Sequence, residues 1–154
     1  MKARTIALNL VVCLAATVFA FAGSPVIGTW KLNEAKSKIP AAAPKNTKVT
    51  YEAMGDEVKV TVDGVDPDGK PTHNEWTGKF DGKDYPLTGD PLSDSRSYKM
   101  VNEHTMELTN KKGGKVTATG KIVVSADGKT RTVTVKATDP MGKKVEYTGV
   151  YDKE

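Results

Sequence analysis

The chain has 154 residues, 38% of them hydrophobic, 27% charged and 6% aromatic, enough for one ordinary domain and unlike collagen, coiled coil or a disordered chain. The formal charge is +4, and because Lys2 and Arg4 fall in a predicted leader, the remainder carries 21 basic against 19 acidic side chains, or +2. So small and scattered an excess excludes a nucleic-acid-binding face, which needs clustered cations.

Residues 1–22 read as a cleaved export signal. Lys2 and Arg4 form its basic start, Ile6 to Phe21 is almost wholly apolar, and Ala20-Phe21-Ala22 supplies the small-x-small cleavage pattern. The apolar run falls short of the roughly 20 residues a membrane span needs, so no stable membrane insertion is expected after cleavage. The only cysteine, Cys13, lies in this segment, which leaves residues 23–154 as a single domain without thiol, disulfide or cysteine metal ligand. The expected location is secreted or periplasmic.

From Gly28 the chain alternates period-2 runs with clusters of Gly, Asp, Asn and Pro, the pattern of a β-meander. Strands are predicted to begin at Gly28, Thr47, Glu57, Lys70, Lys83, Ser95, His104, Lys115, Lys129 and Lys143. After the first, Glu34 to Lys38 reads as one short helical turn with Asn33 as N-cap and Pro40 as its stop, and residues 40–44 as an extended, exposed link. Val49, Tyr51 and Ala53 share one strand face, as do Val58, Val60 and Val62, and later Val116, Ala118, Gly120 and Ile122. Asp66-Pro67-Asp68-Gly69-Lys70 and Asp139-Pro140-Met141-Gly142-Lys143 are near-copies whose Pro and Gly suit tight hairpin loops. Asp84 to Asp94 is longer than a hairpin needs and reads as a loop over a barrel end, a lid or a partner surface. A meander of about ten strands with one apolar face must close, which predicts an all-β, antiparallel up-and-down barrel.

Gly28-Thr29-Trp30 on the first strand is a G-x-W, and the chain ends Tyr147-Thr148-Gly149-Val150-Tyr151-Asp152-Lys153-Glu154. Together these resemble the lipocalin and fatty-acid-binding families, calycin barrels that hold small apolar molecules. The resemblance implies that Trp30 plugs one end of the barrel and that a basic residue packs over its ring. The fatty-acid carboxylate site is not carried over, because Gly149 stands where that family places an Arg. The two helices of the family also have no room between Asn33 and Asn46.

Two arginines remain beyond the leader, Arg96 and Arg131, each in phase with inward apolar neighbours. A buried guanidinium needs partners, either structural ones at the barrel rim or the carboxylate or phosphate of a ligand. His73 and Glu75 share strand parity, but their predicted outward face and the short supply of ligands exclude a metal site, and neither histidine suits haem. No cofactor is expected. The serines have no nucleophile elbow and no base beside them, so no catalytic residue is assigned and the chain reads as non-enzymatic.

With few large aromatics and with Ala118, Gly120 and Gly149 facing inward, the barrel is expected to be underfilled. The expected function is then binding of a small hydrophobic or amphipathic ligand, lined by Tyr51, Trp76, Tyr98, Met100 and Arg131. The alternative is a protein-facing module, an inhibitor or envelope accessory factor, that uses the barrel as scaffold. Lys-rich outer faces favour a monomer.

Overall fold

Ten antiparallel strands close on themselves in sequence order, the last pairing with the first. They are β1 Gly28–Leu32, β2 Lys45–Met54, β3 Glu57–Val65, β4 Pro71–Gly78, β5 Tyr85–Thr88, β6 Ser95–Asn102, β7 Thr105–Lys112, β8 Lys115–Val124, β9 Thr130–Thr138 and β10 Lys144–Lys153. This computed structural model describes residues 23–139 and 141–154, so the predicted leader with Cys13, and Pro140, lie outside the described residues. Among the described residues no helix is long and apolar enough to cross a membrane. The up-and-down barrel implied by the strand count and by the G-x-W resemblance is the architecture observed, and every strand begins within two residues of its predicted start.

Alternation puts Val49, Tyr51, Val58, Val60, Val62, Tyr98, Met106, Ile122 and Val133 inside. The turns behave as their residues require. Asp66 and Asp139 each accept from two backbone N–H groups of their own loops, and Gly69 and Gly142 take φ of 81° and 82°, which a side chain would resist.

Four expectations need correction. Val116 is 55% exposed, not inward with Ala118: Lys111 pairs with Val116 and Asn110 with Ala118, so Thr117 is an extra residue that flips the face. Its hydroxyl lies 2.9 Å from that of buried Ser93. Ala53 is exposed at the end of β2, where the barrel no longer covers it. The segment Asp84 to Asp94 is not all loop, since β5 forms its first half and buries Leu87 in the wall. Residues 40–44 are not a free link either, because Ala43 is buried and donates its N–H to the Pro40 carbonyl. The predicted helical turn is a 3-10 turn, Glu34–Lys36, capped by the Asn33 side chain as expected.

Residues 33–44 form a strap at the end of the barrel where β1 finishes and β2 starts. Ser37 pins it, accepting from the Val150 N–H at 2.8 Å and donating to the Asn33 carbonyl at 2.7 Å. Lys38 adds a two-way backbone bridge to Thr148 on β10. Towards the opposite end lies Trp30, fully buried, whose indole N–H donates to the Val26 carbonyl at 2.8 Å.

Candidate functional site

The interior cavity occupies about 100 Å³ between Arg131, which rests over Trp30, and the strap. Ile39 and Pro44 of the strap roof it. Its wall carries an apolar band that includes Val62, Leu108, Ile122, Val133 and Val135. Neither Asp, Glu nor Lys lines it; its ionisable groups are Arg96, Arg131 and the phenols of Tyr51, Tyr98, Tyr147 and Tyr151.

Arg131, 2% exposed at the start of β9, sits at the floor. Its guanidinium carbon lies 4.5 Å from the Tyr151 ring centre, 5.3 Å from that of Tyr51 and 5.6 Å from that of Trp30. Nη1 donates to the Tyr51 hydroxyl at 2.9 Å, while Nε is buried without a partner. The basic residue that the G-x-W resemblance places over the Trp is therefore present twice, with Lys153 Nζ at 5.1 Å from the same ring.

Arg96, 6% exposed at the start of β6, sits towards the strap. Its Nε donates to Asn110 Oδ1 at 2.7 Å, and Nη1 reaches Asn74 Oδ1 at 3.5 Å and the Tyr98 hydroxyl at 3.4 Å. Every one of these acceptors is neutral. Ion pairs among the described residues all use Lys or His as the cation, so neither buried guanidinium has a counter-charge. Tyr51 and Tyr98 stand between the two arginines with ring centres 6.2 Å apart.

Tyr51, Tyr147 and Tyr151 stay neutral in this setting. Burial pushes Tyr147 up to about 12, helped by Tyr151 and by Asp90 and opposed by Arg96. Burial likewise raises Tyr51 and Tyr151, in each case against the positive charge of Arg131. Neutral hydroxyls and charged guanidiniums together form a donor-rich, anion-seeking interior.

Of the residues expected to line the interior, Tyr51, Tyr98 and Arg131 do so, and Trp76 and Met100 do not. Trp76 is held in a ring cluster with Tyr98, Phe80 and Tyr85, and its indole N–H donates to the Arg96 carbonyl at 2.8 Å. Met100 packs against the core near the Trp30 end. Asn110 was legible as the continuation of the inward series Met106, Leu108; Ile39 and Pro44 carried no periodic signal, because the strap is not a strand, and Asn46 lies beyond the register shift that breaks the alternation of β2. Two of the missing side chains expected to leave space are compensated: the Tyr151 ring edge lies 2.9 Å from where a Gly149 Cβ would stand, and Leu108 fills the place at Gly120. On the outer wall, His73 pairs with Asp63 at 2.6 Å and with Glu75 at 3.4 Å, facing solvent. No cluster of metal-ligating side chains occurs among the described residues.

No family model matches the sequence, and no curated protein does. Among solved structures the chain is similar to a redesigned beta barrel, mFAP1, bound to DFHBI, at 15% identity and TM-score 0.46, covering 84% of this chain and 95% of that one. It is similar to EF1p2_mFAP2b bound to DFHBI, at 10% identity and TM-score 0.49, covering 88% and 98%. Lobster apocrustacyanin A1 matches at 11% identity and TM-score 0.42, covering 86% of this chain and 63% of that one. The likeness is one of barrel shape, and no family membership rests on it.

Proposed function

We propose that this protein is an exported, monomeric, non-enzymatic barrel that binds a small amphipathic molecule in its interior, with the ligand's acidic head received by Arg96 and Arg131. The observation that carries this reading is the pair of buried guanidiniums, without a carboxylate partner, facing the interior cavity. An uncompensated buried cation costs several kcal/mol in desolvation, and an anionic ligand removes that cost on binding. The apolar band between the two arginines receives the rest of the molecule. Export is supported by the sequence of residues 1–22 alone, and the contacts of Pro25 and Val26 with the barrel all survive cleavage after Ala22.

Native mass spectrometry of protein purified from its own host, followed by organic extraction, tests both parts. The expected result is a chain starting at Gly23 that carries a stoichiometric acidic amphiphile. A protein that arrives empty, and whose Trp fluorescence ignores a panel of carboxylic acids, overturns the binding reading. A chain that retains residues 1–22 overturns export.

A further inference from the structure

The interior brings two cations and a surplus of donors together and gives them no anion. Arg131 Nη1 donates to the Tyr51 hydroxyl at 2.9 Å, and Arg96 Nη1 reaches the Tyr98 hydroxyl at 3.4 Å. The two rings stand in edge contact with centres 6.2 Å apart, so the four side chains run as one polar chain through the cavity they line. Each phenol oxygen accepts from an arginine, which leaves its own proton to give away, and the two hydroxyls can use up at most one of these protons between them. Arg131 Nε is a further buried donor without an acceptor.

Only the polar part of a ligand is accommodated there. The cavity of about 100 Å³ is smaller than the apolar cavity of about 150 Å³ that takes one benzene. It is also open on one side: Leu108, Ala118, Val135 and Tyr147, which line it from β7, β8, β9 and β10, are half-buried rather than buried. The space between the arginines therefore suits a head group, and the remainder of the molecule has a route to solvent along Leu108 and Val135.

Resting on the interior-binding reading above, we infer that the acidic head is a phosphate monoester, a doubly charged oxyanion held between Arg96 and Arg131 with its organic body directed out of the barrel. A single carboxylate carries one charge and two oxygens, and would leave one guanidinium buried without a counter-charge. A phosphate monoester carries about −1.5 to −2 at pH 7 and presents three unesterified oxygens. These suffice to take donors from both guanidiniums and from a phenol, in the charge-assisted geometry that arginine favours. The fourth oxygen, bonded to carbon, faces the open side.

The test is calorimetric titration of the mature protein, at about pH 7.5 and about pH 5, with hexyl phosphate, hexyl sulfate, hexanoate, succinate and inorganic phosphate. The expected result at the higher pH is one-to-one binding of hexyl phosphate with Kd about tenfold or more below those of hexyl sulfate and hexanoate. The preference over hexyl sulfate is expected to shrink to within about threefold at about pH 5, where the phosphate keeps one charge and the sulfate is unchanged. No Asp, Glu, His or Lys lines the cavity to titrate in that range. Burial, then Tyr151 and Asp90, hold Tyr147 neutral against Arg96, and the hexyl sulfate control cancels whatever Asp90 contributes to both esters. Arg96→Gln, checked for native circular dichroism, is expected to bring the phosphate-over-sulfate preference to within about threefold at the higher pH; if that variant does not fold, the comparison at two pH values decides on the wild type. Hexanoate or hexyl sulfate binding as tightly as hexyl phosphate at about pH 7.5 overturns the double charge while leaving the amphipathic-binder reading standing. Tighter binding of succinate overturns the phosphate. Inorganic phosphate binding as tightly as hexyl phosphate overturns the ester and its organic body. Failure of every compound, in wild-type protein that is shown empty by mass spectrometry, overturns both readings together.

Discussion

Arg131 on β9 donates to the hydroxyl of Tyr51 on β2 at 2.9 Å, joining positions 80 residues apart at the barrel floor. The bond is buried, and the guanidinium also rests on three aromatic faces.

Removing the two partners has opposite consequences. Tyr51→Phe leaves the Arg131 charge buried with less support and is expected to cost about 1–3 kcal/mol. Arg131→Met removes a desolvated charge at similar volume and is expected to be neutral or mildly stabilising, within about 1 kcal/mol, while weakening acid binding. Urea unfolding of both variants checks this. A strongly destabilised Arg131→Met would make the guanidinium a structural element of the Trp30 plug.

Gly64 faces the bulge on β2. A Cβ there would stand 2.3 Å from the Lys45 carbonyl oxygen, and backbone cannot swing aside as a side chain can. Gly64→Ala is expected to destabilise by about 1–3 kcal/mol, whereas Gly69→Ala, in open space, is expected to suffer only from its φ of 81°. Comparable thermal midpoints for Gly64→Ala and the wild type would refute the close approach.

His73 couples the outer wall to pH. The hydrogen bond with Asp63 first, and that with Glu75 after it, hold the ring protonated and raise its pKa above the ordinary 6.5. A pKa raised in the folded state means that the contribution is complete below about pH 6.5 and disappears as pH climbs through the raised value. The pair is exposed, so the effect is modest and screened by salt. An NMR titration of His73 should give a midpoint above 6.5, and Asp63→Asn should bring it back; a wild-type midpoint at or below 6.5 contradicts the pairing.

Alkali is expected to act through the interior phenols. Burial holds Tyr147 neutral up to about 12, while unfolded tyrosines ionise near 10, so stability is full below about pH 10 and falls as pH rises towards 12. Phenolate absorbance of the buried tyrosines should therefore appear together with loss of near-ultraviolet circular dichroism. Ionisation of all the tyrosines near pH 10 with the fold intact would show that the interior is open to solvent.

The strap is expected to govern access. Ser37→Ala removes the acceptor of the Val150 N–H and the donor to the Asn33 carbonyl, which should loosen residues 33–44 over the cavity. Ligand association and dissociation rates are both expected to rise severalfold with little change in Kd, read by stopped-flow fluorescence. Unchanged rates would mean that ligand enters elsewhere.

The strand series was legible because alternation has a period of two and the turns between strands demand residues that announce themselves; Gly69 and Gly142 take the conformation for which their loops select glycine. Val116 was misread because a one-residue bulge leaves no mark in the alternating pattern: Thr117 is as good a strand residue as any other. β5 was partly taken for loop because four residues are too few to establish a period.

Local chemistry along the chain was thus sufficient for the all-β class, the closure of the sheet, the inward phase of both arginines and the Trp30 plug, since each depends on near neighbours or on the need to bury one apolar face. Only the tertiary structure decided how full the barrel is and what the arginines meet. Those outcomes depend on side chains from β2, β6, β7, β9 and β10 and on the strap converging in one small volume, where Tyr151 takes the room left by Gly149 and Asn110 answers Arg96. Contacts between strands so far apart in sequence follow from the curvature and register of the whole barrel, which no local pattern encodes.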